Sequence, residues 1–326
     1  MQVYQNVLAM IGNTPMVKIS SIDTGPCELY IKLEKMNPGG SIKDRIAVSM
    51  IEAAEQSGAL KPGMTIIEAT AGNTGLGLAL VAASKGYPLK IVMPDKMSAE
   101  KVNTLRAMGA EVIQTRSDVQ KGHPEYYQDM AERLAEEHGY FYVNQFSNPA
   151  NVAAHYQTTG PEIWQQMEGQ LDAFVCGVGS GGTLTGIGRY LREQNPAIDL
   201  VLADPQGSIL EPLINRNETV EAGSWLVEGI GEDFIPSICE IELANRAYAI
   251  SDKEAFLTAR ELLVKEGIMV GSSSGTLLAA ALRYCREQTT PKRVVTLACD
   301  TGNRYLSKLY NDEWMTAHHL LENDHG

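Results

Sequence analysis

The sequence predicts an α/β protein made of two doubly wound domains whose sheets are dominated by parallel strands. Three observations carry that expectation. Apolar bursts of strand length alternate with stretches of helical period from one end of the chain to the other. Glycine-rich turns separate them, drawing on 30 glycines. The length, 326 residues with 44 % hydrophobic content, is enough for two packed cores.

In order, the apolar bursts mark strands over 29–33, 65–69, 89–93, 111–114, 173–177, 199–203 and 293–298. Amphipathic stretches mark helices over 41–57, 74–85, 99–108, 126–138, 156–166, 183–194, 252–266 and 275–286. Strands and helices alternating at this spacing call for parallel pairing through right-handed crossovers. In such sheets ligands sit beyond the carboxyl ends of the strands, where loops meet helix N-termini. The stretch 148–154 reads as a hinge. It sets an N-terminal domain over 37–148 apart from a larger domain made of 1–36 plus 149–326.

Composition narrows the function classes. A net charge of −13 argues against the phosphate backbone of a nucleic acid as partner. No stretch approaches the roughly 20 apolar residues of a membrane span. The opening MQVYQNVLAMIGNTP lacks the basic region and cleavage site of a secretory signal, so a cytoplasmic location is expected. Cys27, Cys176, Cys239, Cys285 and Cys299 fall in no metal-binding spacing, which points to free thiols and no metal.

Three loops carry the chemistry. The first reads Asn37-Pro38-Gly39-Gly40-Ser41-Ile42-Lys43-Asp44-Arg45 and runs into an amphipathic stretch, so Ser41 is the expected N-cap and Lys43 falls in the first helical turn. The positive end of a helix is a poor place for a structural ammonium. It suits an amine that must be neutral, since positive potential and partial burial both lower an amine pKa of about 10.4. A neutral, positioned lysine is what Schiff-base chemistry with a carbonyl cofactor requires. The alternative is a solvated surface lysine flanked by Asp44.

The second loop, Gly177-Val178-Gly179-Ser180-Gly181-Gly182-Thr183, follows a strand and opens a helix. Glycines let several backbone N–H groups turn inward, and the helix N-terminus adds its positive end, so the segment is built for a phosphate. Ser180 and Thr183 add two hydroxyl donors. Gly177, Gly179 and Gly182 also satisfy G-x-G-x-x-G, with Asp204 about twenty residues further on, which keeps an NAD(P)-dependent oxidoreductase as the competing reading. The third loop, Thr70-Ala71-Gly72-Asn73-Thr74-Gly75, offers donors for a carboxylate at a helix N-terminus. Simple helix capping by Asn73 or Thr74 would explain it equally well.

Taken together, these motifs resemble the cysteine synthase and cystathionine β-synthase family of pyridoxal 5'-phosphate enzymes. The resemblance runs from Ile11-Gly12-Asn13-Thr14-Pro15 to Tyr305, and separate motifs agree in order. It implies the type II fold of the tryptophan synthase β-subunit. Lys43 is then the residue that carries the cofactor as an internal aldimine and removes the α-proton. Gly179, Ser180, Gly181, Gly182 and Thr183 hold the phosphate, and Asn73 bonds the pyridine 3′-oxygen. Within Gly271-Ser272-Ser273-Ser274-Gly275 the family pattern puts Ser273 at the pyridine nitrogen. Thr70, Gly72, Asn73, Thr74 and Gln145 bind the substrate carboxylate. Ala71 departs from the pattern: a serine is usual there, and losing one hydrogen bond to a charged group is worth about 1.5–3 kcal/mol.

The implied reaction is β-replacement on L-serine, O-acetyl-L-serine or L-cysteine through an aminoacrylate, with homocysteine or sulfide as the thiol acceptor. Hydrogen sulfide release from cysteine follows from the same machinery. Three segments look more like a cystathionine β-synthase core: Ala203 to Ser208, Val227 to Pro236, and Asn311-Asp312-Glu313-Trp314. Within the second, the turn at Gly229 and Gly231 should close over the substrate. Asp233 or Glu232 would then orient the amino group of an incoming thiol amino acid. The resemblance also implies a symmetric homodimer.

Overall fold

The structure is a computed structural model describing residues 3–70, 72–95, 99–119 and 122–321. Strands β1 (Met16–Lys18) and β2 (Glu28–Lys32) come first. They are followed by α1 (Lys43–Ser57), β3 (Ile66–Ala69), α2 (Asn73–Lys85), β4 (Leu89–Pro94), α3 (Ala99–Ala107), β5 (Glu111–Thr115), α4 (Tyr127–His138), β6 (Phe141–Tyr142) and α5 (Pro149–Ala154). A π-helical turn, His155–Thr159, leads into α6 (Gly160–Gln166). Then come β7 (Ala173–Cys176), α7 (Gly182–Gln194), β8 (Asp199–Pro205), α8 (Leu210–Arg216), β9 (Arg246–Ile250), α9 (Asp252–Glu266), α10 (Ser272–Arg286), β10 (Arg293–Leu297) and α11 (Asp312–Ala317).

The chain forms two compact units, one of Met1–Gly12 and Asn37–Ala154, the other of Asn13–Met36 and His155–Gly326. The first holds a four-stranded sheet in the order β5-β4-β3-β6, parallel throughout. Alternate residues serve its two faces. Ile66, Ile91 and Met93 pack with Ile46, Met50 and Leu78 from α1 and α2, while Ile67, Ala69 and Val92 pack with Ala131 and Ala135 from α4. Both faces are therefore covered, which is why β3 and β4 read as near-continuous apolar runs.

The second unit holds a six-stranded sheet in the order β1-β2-β10-β7-β8-β9. Its pairs are parallel except β1 against β2. The doubly wound α/β class is thus the observed one.

Residues 3–12 and 149–154 fall in the first unit, where the sequence expectation had placed them in the larger one. Ala150 and Ala154 of α5 lie in the core beside α1, and Ser49 Oγ donates to the Ala150 carbonyl at 2.7 Å. Gly12 N–H donates to Asn37 Oδ1 at 2.8 Å.

At the start of α1 Ile42 already has helical angles (φ −57°, ψ −23°), and Ser41 Oγ accepts the Lys43 N–H at 3.2 Å, the bond a capping serine makes. One helix start differs. The expected helix over 156–166 is π-wound up to Thr159 and becomes α only from Gly160. Pro161 at its start lacks the N–H an unbroken helix would use.

Candidate active site

In the first unit, strands 3, 4 and 5 are laid down in one direction and β6 on the opposite side of β3. The strand order reverses between β3 and β6, and in open α/β sheets the loops at the carboxyl ends of such a pair are where a ligand is expected. Those loops are the ones carrying Thr70, Gly72, Asn73 and Thr74 on one side and Gln145 on the other. Thr70 is buried, and its Oγ1 accepts the Gly72 N–H at 3.2 Å. Gly72 is the extended cap residue of α2, and Asn73 opens the helix half-buried. Ala71 lies outside the described residues.

Thr74 and Gln145, 2 % and 5 % exposed, are brought together: Thr74 Oγ1 donates to Gln145 Oε1 at 2.6 Å. Asn151 Nδ2 fixes the Gln145 carbonyl at 2.8 Å. With its amide oxygen committed, Gln145 has only its NH2 left to offer, and that group is a pure donor.

Lys43 heads α1 and is half-buried. Asp44 is not a solvated companion. It is fully buried, and its Oδ2 accepts the Gly39 N–H at 2.6 Å, which pins the glycine turn to the helix start. Gly77 of α2 lies against the backbone of this first turn. The surface-lysine alternative therefore lacks its geometry.

Just before the Thr70 loop in sequence lies Glu68, within β3 and wholly buried. Burial pushes its carboxyl up to about 8, against a smaller pull from the backbone amides of Asn144, Ala69 and Gln145. Those amide contacts fall short of hydrogen-bond geometry for either carboxylate oxygen.

In the second unit the order reverses between β7 and β10, and the glycine loop leaves β7 at that point. A Cβ at Gly179 would stand 2.5 Å from the Gly229 carbonyl oxygen, and Gly231 N–H donates to the Val178 carbonyl at 2.9 Å. The turn at Gly229 and Gly231 thus lies directly on the glycine loop. Gly181 takes φ +88° as the cap of α7, where any side chain would run into Cys239. Burial pushes that cysteine thiol up to about 12, so it packs and does not react.

Ser180 is buried and Thr183 half-buried at the head of α7. Backbone amides at a helix N-terminus and two hydroxyls form a donor set suited to a phosphate dianion, and side-chain-free glycines leave it room. The residues present fit pyridoxal phosphate.

The serine run at the head of α10 is sorted by its hydrogen bonds. Ser272 Oγ accepts the Glu228 N–H at 3.0 Å, and Ser274 Oγ accepts the Cys299 N–H at 2.9 Å. Ser273, 5 % exposed, makes no side-chain hydrogen bond to the described residues. Asp233 is exposed, whereas Glu232 is held through its backbone, its N–H donating to Ser208 Oγ at 3.1 Å.

Asp204, the carboxylate a dinucleotide reading needs for a ribose, is buried and spent on α8, its Oδ2 accepting the Glu211 N–H at 2.8 Å. The oxidoreductase alternative finds no support.

The pyridoxal-phosphate dependent enzyme family matches residues 7–300. The chain belongs to that family. A cystathionine beta-synthase of Apis mellifera is 43 % identical over 325 residues, covering 98 % of this chain and 64 % of that protein. One of Oryctolagus cuniculus is 44 % identical, covering 99 % and 59 %. The chain thus spans about three fifths of the cystathionine beta-synthases it matches. A cysteine synthase of Staphylococcus aureus is 44 % identical over 305 residues, covering 93 % of this chain and 95 % of that protein.

Among solved structures, a hydrogen sulfide-producing enzyme from Fusobacterium nucleatum superposes with a TM-score of 0.87 at 41 % identity, covering 94 % of this chain and 99 % of that one. O-ureido-L-serine synthase superposes at 0.88 and 34 % identity, covering 97 % and 100 %. This pyridoxal phosphate enzyme has the type II fold and is of the cystathionine β-synthase and cysteine synthase kind.

The sequence reading took His155 for a satisfied polar contact and passed over Gly77 and Glu68. His155 Nε2 lies 3.3 Å from Thr183 Oγ1, and its Nδ1 lies 3.0 Å from Thr159 Oγ1. A glutamate inside an otherwise apolar burst, Ile66-Ile67-Glu68-Ala69, was the available signal for the last. None of the five cysteines forms a disulfide to another described residue. No helix among the described residues is long and apolar enough to cross a membrane.

Proposed function

We propose that this enzyme replaces the β-substituent of an amino acid by a thiol. The donor is L-serine, O-acetyl-L-serine or L-cysteine, and the acceptor is homocysteine or sulfide. The observation that carries the reading is the 2.6 Å bond from Thr74 to Gln145. It joins the two carboxylate-binding segments and leaves a donor-only amide beside the N-terminus of α2, which is what the carboxylate of an amino acid needs.

Bound pyridoxal phosphate supplies the electron sink for charge developing at Cα. The chain's own residues do the rest. Thr70, Gly72, Thr74 and Gln145 hold the substrate carboxylate, and Asn73 the pyridine 3′-oxygen. Gly179, Ser180, Gly181, Gly182 and Thr183 hold the phosphate through backbone and hydroxyl donors. Lys43 takes the Cα proton and returns one when product forms, as a positioned amine can. Between those transfers the bond from Cβ to the leaving oxygen or sulfur breaks and the Cβ–S bond to the acceptor forms. Ser273 offers the pyridine nitrogen a neutral hydroxyl. Gly229 closes the substrate side, and Asp233 orients the amino group of an amino-acid thiol. A cytoplasmic homodimer completes the proposal, consistent with four buried thiols and a fifth half-buried one.

Borohydride reduction followed by peptide mapping tests the reading. A pyridoxyl tag on position 43, lost in Lys43→Ala, is the expected result, and a tag elsewhere in a fully loaded preparation sinks it. A donor-by-acceptor matrix with products weighed by mass spectrometry then identifies the substrates. If Asp233→Asn left homocysteine and sulfide equally good acceptors, its role would be withdrawn.

A further inference from the structure

The π turn between α5 and α6 carries a polar relay that the reaction as described does not use. His155 is 1 % exposed and Thr159 is fully buried, so water cannot stand in for either partner of the ring. The ring spans two hydroxyls, Thr159 Oγ1 at 3.0 Å from Nδ1 and Thr183 Oγ1 at 3.3 Å from Nε2. Thr183 is the hydroxyl at the head of α7 within the phosphate loop.

The turn is fixed on α7 at two further points. Tyr156 packs edge-on to Tyr190 at 5.8 Å and donates to Glu193 at 2.7 Å. A Cβ at Gly160 would stand only 3.0 Å from Tyr190 Cβ, so the two elements meet backbone to side chain. Short π segments are frequent where a helix must aim a functional side chain.

We propose that His155 is a positioning residue for the cofactor phosphate: its Nε2–H donates to Thr183 Oγ1 and thereby leaves the Thr183 proton for a phosphate oxygen. This rests on the reading of the glycine loop as the phosphate site. A hydroxyl has one proton to give and lone pairs to receive. Were Nε2 bare, Thr183 would spend its proton on the ring and turn lone pairs toward an anion. With the proton on Nε2, each bond in the line runs the same way: Thr159 hydroxyl to Nδ1, Nε2 to Thr183, Thr183 to phosphate. Chains of this kind strengthen each member.

The experiment uses the holoenzyme. Nitrogen-15 NMR of the His155 ring should show a protonated Nε2, and phosphorus-31 NMR reports the bound phosphate. His155→Leu should shift the phosphorus signal and weaken pyridoxal phosphate retention about tenfold or more, the scale of a hydrogen bond to a charged group. His155→Gln, which keeps a side-chain donor, should recover most of that loss. In both variants, saturating cofactor should still give the pyridoxyl tag on Lys43 after reduction, so the tag tests the underlying reading and the phosphorus signal tests this one. A bare Nε2 in the parent enzyme overturns the proposal, whether or not the variants fold. So does a His155→Leu protein with the parent's phosphorus shift and cofactor affinity.

Discussion

Gly77 on α2 lies against the backbone of Lys43 on α1: a Cβ there would stand 3.0 Å from the Lys43 carbonyl oxygen and 3.1 Å from Ala47 Cβ. The first turn that presents the amine is thus seated on a helix surface with no side chain in the way.

Substituting Gly77 should separate the placement of Lys43 from stability. In Gly77→Ala, about 1 kcal/mol of helix propensity is gained, which offsets the few tenths of an ångström that α1 must yield. Unfolding stability should stay within about 1 kcal/mol of the parent, while kcat/KM falls several-fold because the amine is displaced. Gly77→Val overpacks the contact at a cost of about 1–3 kcal/mol and should lower both. An unchanged kcat/KM in the folded valine variant would show that this contact does not set the amine.

Gly179 and Gly229 offer a matched pair. A Cβ at 179 would be 2.5 Å from a backbone oxygen, which cannot swing aside, so Gly179→Ala must move the glycine loop proposed to hold the phosphate. Gly229 has open space around it but φ +88°, so Gly229→Ala meets only backbone strain of about 1–2 kcal/mol. Cofactor titration should show a loss of about tenfold or more in the first, the scale of a lost hydrogen bond to a charged group, and a smaller one in the second. The reverse order would mean that loop contact is not what holds the phosphate site open.

The pH dependence of stability should carry the mark of Glu68. Its carboxyl is raised by burial from 4.5 to about 8. The folded state therefore keeps a proton that the unfolded chain has lost between those values, so this group favours folding below about pH 4.5 and ceases to as pH rises through about 8. Glu68→Gln keeps the shape and cannot ionise. Denaturant unfolding from pH 5 to 9 should find the variant gaining on the parent as pH rises. A constant difference across that range would place the charge elsewhere.

The two strand–loop–helix turns proposed as ligand loops were legible in the sequence because backbone chemistry wrote them there. Glycine, serine, threonine and asparagine clusters between an apolar burst and an amphipathic stretch announce a strand, an anion loop and a helix. The topology that gives those loops their meaning was not legible. That β6 returns beside β3, and β10 beside β7, is a long-range pairing with no local signature.

Short edge elements were missed for a related reason. The strand β1 has three residues, two of them exposed, and α5 and α11 have six each, too few for a period to show. His155 was read as a satisfied polar contact, which it is. Its partner, 28 residues away at Thr183, is what connects it to the site.

Ser273 gives the sharpest test of how the reaction is kept to one outcome. Its neighbours are tied, Ser272 to Glu228 and Ser274 to Cys299, so substituting either would disturb the loop as well as the chemistry. Ser273 makes no such bond to the described residues, and it sits in the first turn of α10, where the helix dipole accepts an acidic residue. Ser273→Asp should therefore fold and take up cofactor. If Ser273 faces the pyridine nitrogen as proposed, the substitution would replace a neutral hydroxyl there by a carboxylate able to hold a proton on the ring. A carboxylate in that place would strengthen the electron sink the bound cofactor supplies, so racemised and transaminated by-products should rise against the thioether or cysteine product. Ser273→Ala, neutral like the parent, should keep the parent's product ratio. Chiral chromatography of the product mixtures decides the matter, and equal ratios in all three proteins would remove Ser273 from the account of specificity.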